Sequence, residues 1–492
     1  MRLSGVNTWE LCCAVVMGVT LCSPLSAGGA PSYYGFVPSA GNGTVSVVDT
    51  STNSVVASIP VGSAPLAAAI HPAGGPVFVA NYGSNSVSII DAASALVIDT
   101  VSLQYPPYSL ALNPSGTQVY VISLEGRNVS VIDLATHAVV ATISLGIQPP
   151  SEGDSGPRAL AFAPSGAHAY VASDNGTVSV IDTVTYALTG VIGLGATAGM
   201  NCTFGTGTCP RGIAVHPSGQ FAYVTRLEGP GTGGTGSAQR NAFLSVLDLA
   251  TNSESAVIRL GGLNPHGIAI SASGNLAFVA LAESDRVAVV DLGAQSVVAT
   301  LPVGSFPRGV ARHPAADRVY VANQNSASVS VIDSVARTVV ATVGVGPSPV
   351  ALGQWVGAVI PPNQPPRCGL AQAVPAILWP PDHRLVPIAI VGVSDPDNDS
   401  LAISITSVTQ DEPVNGLGDG DTSPDAVVVN GALLVRAERA GSGNGRVYRV
   451  AFTAGDGRGG TCTGRVTVSV PHSRKPGDNA ADDGVIYDSM AL

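Results

Sequence analysis

Three sets of side chains in this sequence have types and spacings that could do chemistry. The first is a series of residues that follow a proline at the start of an apolar run: Leu66, Tyr108, Arg158, Arg211, His266, Arg308 and Val350. Four consecutive members are Arg, Arg, His and Arg. Brought together, guanidinium forks and an imidazole would hold a carboxylate, a phosphate or an acidic partner by charge-assisted hydrogen bonds. The second set is Asp395, Asp397 and Asp399 in the run Asp395-Pro396-Asp397-Asn398-Asp399, where alternating oxygens suit Ca²⁺, with a plain solvated turn as the alternative. The third is cysteine. Nucleophile elbows, metal-ligating histidine pairs, phosphate loops and haem-attachment patterns are absent from the sequence, which points to binding rather than catalysis.

The elements that must position these groups are strands. Apolar residues are 45% of the chain but aromatics only 5%, and 58 Gly and 36 Pro leave little room for long helices. Charged residues are 11%, the net charge is −11 and Lys475 is the only lysine, so an electrostatic grip on nucleic acid or an anionic membrane is not expected. A hydrophobic triplet ending in Asp recurs at Asp49, Asp91, Asp133, Asp182, Asp248, Asp291 and Asp333, at steps of 42, 42, 49, 66, 43 and 42 residues. Each is preceded by an aromatic-Val pair, from Phe36-Val37 to Tyr320-Val321. Every unit reads as four short strands with turn residues between them, and four antiparallel strands at a period near 42 describe a propeller blade, since an isolated blade cannot bury both of its faces. The repeated Asp residues sit where a strand enters a turn and are expected to accept backbone N–H bonds there. His71, His216 and His313, each before a proline, are expected to pack turns rather than to bind a metal.

Tyr320-Val321-Ala322-Asn323 and Phe78-Val79-Ala80-Asn81 closely resemble the signature of the YVTN-type β-propeller repeat family, over about residues 33–357. The resemblance implies an all-β fold with a seven-bladed β-propeller. The first unit lacks its opening strand, and Pro349-Val350-Ala351-Leu352-Gly353 matches it at the far end, so closure of the ring by that segment is expected. In such a ring the post-proline residues stand at the mouth of the central channel. Tyr108, Arg158, Arg211, His266 and Arg308 are then the candidate ligand-binding residues. Extra residues at about 147–156, 194–209 and 226–241 fall in loops of the same face around blades four and five, where binding is expected. Glu152, Asp154 or Glu228 are the acids expected to pair with the arginines if the mouth is purely structural.

Beyond a Pro-rich linker at 358–366, residues 367–471 alternate apolar and polar positions and suggest an Ig-like β-sandwich. The run Leu378-Trp379-Pro380-Pro381-Asp382-His383 looks like an Ig-like module of bacterial extracellular proteins, and Asp395–Asp399 resembles the acidic turn of cadherin-like repeats. Residues 472–492 are expected to form a disordered acidic tail. Residues 1–27 read as a signal peptide, which implies export to the periplasm, cell surface or medium. Four cysteines then remain, and proximity favours Cys202–Cys209 and Cys368–Cys462 disulfides, one of three connectivities. The expectation is an exported binding protein for an anionic small molecule or an extracellular protein or glycan. The alternatives are a lactonase-like hydrolase using the same mouth and a structural surface-layer component.

Overall fold

A computed structural model describes residues 32–147, 156–195, 208–228, 241–360, 363–397, 399–414, 423–441, 444–473, 475, 480–484 and 486–490. The expected signal peptide, the tips of all three elaborated loops and Cys202 lie outside these residues. The chain divides into two compact units, the break falling after Ile360.

Among the described residues the first unit holds seven four-stranded antiparallel sheets. The second sheet consists of Pro65–Ile70, Val77–Asn81, Ser86–Asp91 and Leu96–Ser102. The same order recurs through the seventh, built from Pro307–Arg312, Arg318–Asn323, Ser328–Asp333 and Thr338–Gly344. Every junction between neighbouring sheets encloses apolar side chains. Phe78 and Leu110 join sheets two and three, Tyr120 and Leu160 join three and four, and one cluster with Tyr320, Phe36 and Ile70 joins seven, one and two. The sheets are therefore seven propeller-like blades, each packed on its neighbours through apolar side chains. The repeated aromatic explains itself here. Phe36, Phe78, Tyr120, Phe278 and Tyr320 are at most 1% exposed, and each such ring contributes about 1.5–3 kcal/mol by burial. Burial fades outward: Val77–Asn81 is wholly buried, whereas Leu96–Ser102 exposes all but Val101.

The repeated Asp closes the outermost hairpin of each blade. Asp182 accepts from the Thr185 N–H at 2.7 Å and from its hydroxyl at 2.8 Å, and Asp49, Asp91, Asp133, Asp248, Asp291 and Asp333 accept equivalent backbone bonds. Four residues on, each turn passes through a left-handed, non-glycine residue: Asn53, Ala95, His137, Tyr186, Asn252, Gln295 and Arg337 have φ between 51° and 58°. That conformation costs roughly 1–2 kcal/mol per residue, and the carboxylate bonds help to offset it. On the opposite face from the loops, histidines staple blades together. The His71 and His216 Nε2 atoms bond the carbonyls of Gly116 and Gly274 at 3.0 Å, and His313 Nε2 lies 3.2 Å from Thr50 Oγ1.

Blade one draws its innermost strand from the other end of the unit. Val356–Val359 pairs antiparallel with Ser32–Ser39, from Gly35↔Val356 to Ser32↔Val359. The ladder thus lies beyond the expected 349–353, and residues 358–359 belong to the propeller rather than to a linker. Positive φ at Ala351 (49°) and Gly353 (88°) turns the earlier segment out of a regular ladder, leaving single bridges to Ser39 and Ala67. Trp355 then fills the seam. It is fully buried, edge-on to Tyr320 at 6.2 Å, and faces Gly35, where a Cβ would come within 3.2 Å of its ring.

The second unit contains two four-stranded sheets. One is Gln372–Val374, Leu385–Val391, Ala432–Arg436 and Ala426–Val429 in spatial order; the other is Thr461–Val470, Arg446–Gly455, Ala402–Gln410 and Tyr487–Asp488. Leu378, Tyr448, Phe452 and Val468 pack in their shared core. The Cys368–Cys462 disulfide is present. The expected disordered tail is a correction: part of it is a strap. Tyr487–Asp488 adds to the open edge at Thr409–Gln410, Asp482 pairs with Arg449, and the fully buried Ser489 donates its N–H to the Val408 carbonyl at 3.1 Å. An open strand edge and a cation facing the acidic tail are what hold it.

Candidate functional site

The inner strands of blades two to seven share one irregularity, and it places the candidate site. Pro157 pairs with Ser173 and Ala159 with Ala172, so Arg158 is an extra residue in the ladder. Pro210↔Arg226 followed by Gly212↔Thr225 does the same for Arg211. One-residue excesses recur at Leu66, Tyr108, His266-Gly267 and Arg308-Gly309. A β-bulge bends the strand and re-aims its side chain. The fixed φ of the preceding proline and its missing N–H suit the start of such a strand. Glycine follows in blades five to seven because there is no space for more. A Cβ on Gly212 would meet the His266 carbonyl, one on Gly267 the Arg308 carbonyl, and one on Gly309 the Ala351 carbonyl. The Thr225 hydroxyl, fully buried, donates to the His266 carbonyl at 2.7 Å and locks blade five to blade six.

Arg158 and Arg211 converge on Asp174, which is 1% exposed. The Arg158 Nε donates to Asp174 Oδ2, and Arg211 Nη1 stands 3.3 Å from Oδ1. Asp174 follows the second strand of blade four and is held by its own N–H, which donates to the Gly156 carbonyl at 3.0 Å. The Arg158 guanidinium also lies over the Tyr108 ring, 5.1 Å from its centre, and Arg308 lies 5.8 Å from the centre of the Phe306 ring. His266 is buried 6.3 Å from Phe306, centre to centre. Among the described residues the Arg308 side chain has no hydrogen bond or ion pair, and the buried Nε of both Arg211 and Arg308 lacks an acceptor. Val350, by contrast, is sealed in the closing seam, its N–H donating to the Pro38 carbonyl at 3.3 Å.

These contacts set the charge states. Burial works to raise the Tyr108 phenol, but the guanidiniums of Arg158, Arg308 and Arg211 outweigh it and hold the group below its ordinary value. Burial, reinforced by Arg308, Arg211 and Arg158, pushes His266 well below the usual imidazole range, so the ring is neutral at pH 7. Burial also lowers Arg211 against the pull of Asp174, whereas Asp174 and Tyr108 overcome burial at Arg158 and raise it. Two guanidiniums thus share one carboxylate, with Arg308 and a neutral imidazole close by. Below them runs a cavity of about 510 Å³ lined by Arg158, Arg211 and the apolar inner strands.

Asp174 is the member that sequence reasoning missed. The acids weighed as partners were Glu152, Asp154 and Glu228; the first two lie outside the described residues, and Glu228 pairs with Arg226 at 2.9 Å. A signal existed. Four positions after the repeated aromatic the units carry Ala40, Tyr82, Leu124, Asp174, Leu227, Ala282 and Gln324, so Asp174 alone is acidic there. Blade five is longer than its neighbours: its strands Thr208–Val215, Phe221–Glu228 and Asn241–Asp248 extend the ladder to Thr208↔Glu228 and Glu228↔Asn241. Cys209 in this extension is disulfide-bonded; its expected pairing with Cys202 falls outside the described residues.

In the second unit one carboxylate oxygen from each of Asp395, Asp397 and Asp399 lies within 4.8 Å of the others. The same groups already close a turn. Asp395 Oδ1 accepts the N–H of Asp397 (2.8 Å) and of Asp399 (3.2 Å), Asp397 Oδ2 accepts the Gln364 N–H at 2.6 Å, and Asp399 pairs with Arg458 at 3.1 Å.

Comparison with known proteins bears on the first unit. Solved structures similar to the chain include Kuenenia stuttgartiensis hydrazine synthase, at 21% identity and a TM-score of 0.52, over 65% of this chain and 99% of that one. Another is the dihydro-heme d1 dehydrogenase NirN in complex with DHE, at 15% identity and a TM-score of 0.46, over 63% of each chain. The first likeness speaks to the fold alone, and the second is weaker still. No curated protein matches. The family model described as "Lactonase, 7-bladed beta-propeller" matches residues 33–301 and 184–342, more than half of the sequence, and this chain belongs to that family.

Proposed function

We propose that the channel mouth binds a small carboxylate- or phosphate-bearing ligand between Arg158, Arg211 and Arg308, with Tyr108 and His266 beside it. The observation that carries this reading is the surplus of cations: Arg158 and Arg211 share the buried Asp174, and Arg308 beside them has no ion pair among the described residues. Apolar walls with a few convergent polar groups are the ordinary make-up of a ligand site, and 510 Å³ is an ordinary size. The test is a thermal-shift screen of the protein against carboxylates and phosphates. An anion should raise the melting temperature of the native protein but not of the Arg158→Ala, Arg211→Ala double variant. An equal rise in both would sink the reading.

Hydrolysis of a lactone is a second reading, favoured by family membership and by neutral His266. The imidazole would take a proton from water as it adds to the lactone carbonyl. The guanidiniums would stabilise the resulting oxyanion, and the imidazolium would return its proton to the departing ring alkoxide. His266→Ala should then abolish acid release in a pH-stat assay while anion binding persists.

The repeat is read as YVTN-type on the role of its Asn. Buried Asn81 Nδ2 donates to Ser86 and Ser88 at 3.2 and 2.9 Å, and Asn323 bonds Ser328 and Ser330 in the same way. The two packed sheets after Ile360 support an Ig-like reading of the second unit. Its disulfide, together with residues 1–27, supports export. Ca²⁺ at Asp395, Asp397 and Asp399 is carried as a further proposal; a melting temperature unmoved by Ca²⁺ would end it.

A further inference from the structure

The channel cavity is charged at both ends. Its lining includes Arg158 and Arg211 at the mouth, and also Pro164, Pro217 and Arg312 at the far ends of the inner strands. A second recess of about 390 Å³ opens on that far face and shares Ala111, Leu112, Arg312 and Gln354 with the channel. The two spaces meet at Arg312. This residue ends the strand Pro307–Arg312, four residues beyond Arg308, which is at most about 13 Å along the strand. The backbone there is pinned. Gln354 Nε2 donates to the Arg312 carbonyl at 2.9 Å and to the Val356 carbonyl at 2.8 Å, tying blade seven to the closing segment. Among the described residues the Arg312 guanidinium has neither a hydrogen bond nor an ion pair. Between the ends the wall is apolar, with Ala159, Ala161, Ile213, Ile268, Val310 and Leu352.

We infer that the channel takes an elongated ligand with an apolar middle and an anionic group at each end, of the α,ω-dicarboxylate class. One carboxylate meets Arg158 and Arg211, and the other meets Arg312. The inference rests on the reading of the mouth as an anion site and adds a length and a second charge to it. A monoacid of equal length lays a methyl end against Arg312 and leaves that cation without a counter-ion. A short diacid cannot reach both ends.

The test is calorimetry on the full chain with sebacate and dodecanedioate against decanoate and succinate. Sebacate or dodecanedioate should bind at least about tenfold more tightly than decanoate, because a second charge-assisted contact is added. Succinate should show no such advantage. In Arg312→Gln the diacid-to-monoacid ratio should fall toward one, and Arg312→Lys should retain most of it; retention also shows that the site tolerates substitution. Two results overturn the inference and leave the anion-binding mouth standing. One is decanoate binding that needs Arg158 and Arg211 with no tighter diacid. The other is a diacid preference that survives Arg312→Gln. Failure of every acid to bind the native protein overturns both readings.

Discussion

Replacing Asp174 by Asn should weaken the fold and tighten ligand binding at the same time. The carboxylate is 1% exposed and serves side chains of Arg158 and Arg211 that are 15% and 18% exposed. Removing one partner of a buried ion pair costs about 3–5 kcal/mol, and the partial access of water to both arginines places this case near the lower end, about 3 kcal/mol. For a unit of this size each kcal/mol corresponds to roughly 2 °C, so the melting temperature should fall by about 6 °C. Arg158 and Arg211 then lose the carboxylate they share. Removing a like charge a few ångströms from a bound anion in a partly wet site should strengthen binding by about tenfold. Differential scanning fluorimetry with and without a bound anion reads both effects. The variant should melt lower when empty and gain more from ligand than the native protein does, and raising the salt concentration should shrink the difference. If Asp174→Asn melts like the native protein, the carboxylate is not the counter-ion of the two arginines and the charge argument for the site collapses.

Three further outcomes follow from the same geometry. His266 titrates below its unfolded value of about 6.5, so the unfolded chain binds the extra proton as pH falls through that range. Stability should therefore be complete above pH 7 and decline by about 1.4 kcal/mol per pH unit below 6.5 until the folded ring protonates, and His266→Gln should flatten that slope in pH-dependent melts. Trp355→Ala should cost about 3–5 kcal/mol in chemical denaturation, since it empties the seam of blade one; a loss under 1 kcal/mol would show that the seam does not depend on that side chain. Breaking Cys368–Cys462, which spans 94 residues, should destabilise the second unit by about 4–5 kcal/mol on the chain-entropy account, and an unchanged melt after reduction would contradict it.

The propeller was legible from sequence because its physics repeats. A buried aromatic, a turn aspartate and a proline-led strand recur at a period near 42, and the bulge that aims each post-proline side chain recurs with them. Arg158 and Arg211 take their places in those bulges for that reason. Asp174 is marked in the sequence only by its acidity where the other units carry none, because its role depends on two blades meeting. The closing strand was displaced because left-handed residues at Ala351 and Gly353 break a ladder that the apolar pattern alone would continue. The tail misled because composition reports solubility, whereas its strap is held by a free strand edge and by Arg449.

The closing ladder has a mechanical consequence. Ser32 stands opposite Val359 and Gly35 opposite Val356, so the two ends of the propeller leave the seam side by side at the same end of an antiparallel pair. Tension applied between those ends loads the pairs one after another, as in opening a zip, instead of shearing all of them together. Blade one is then the mechanical fuse of the ring. A pull on the chain should part Val356–Val359 from Ser32–Ser39 at low force, Trp355 should leave its slot next, and the six remaining blades should still be folded when the ring first opens.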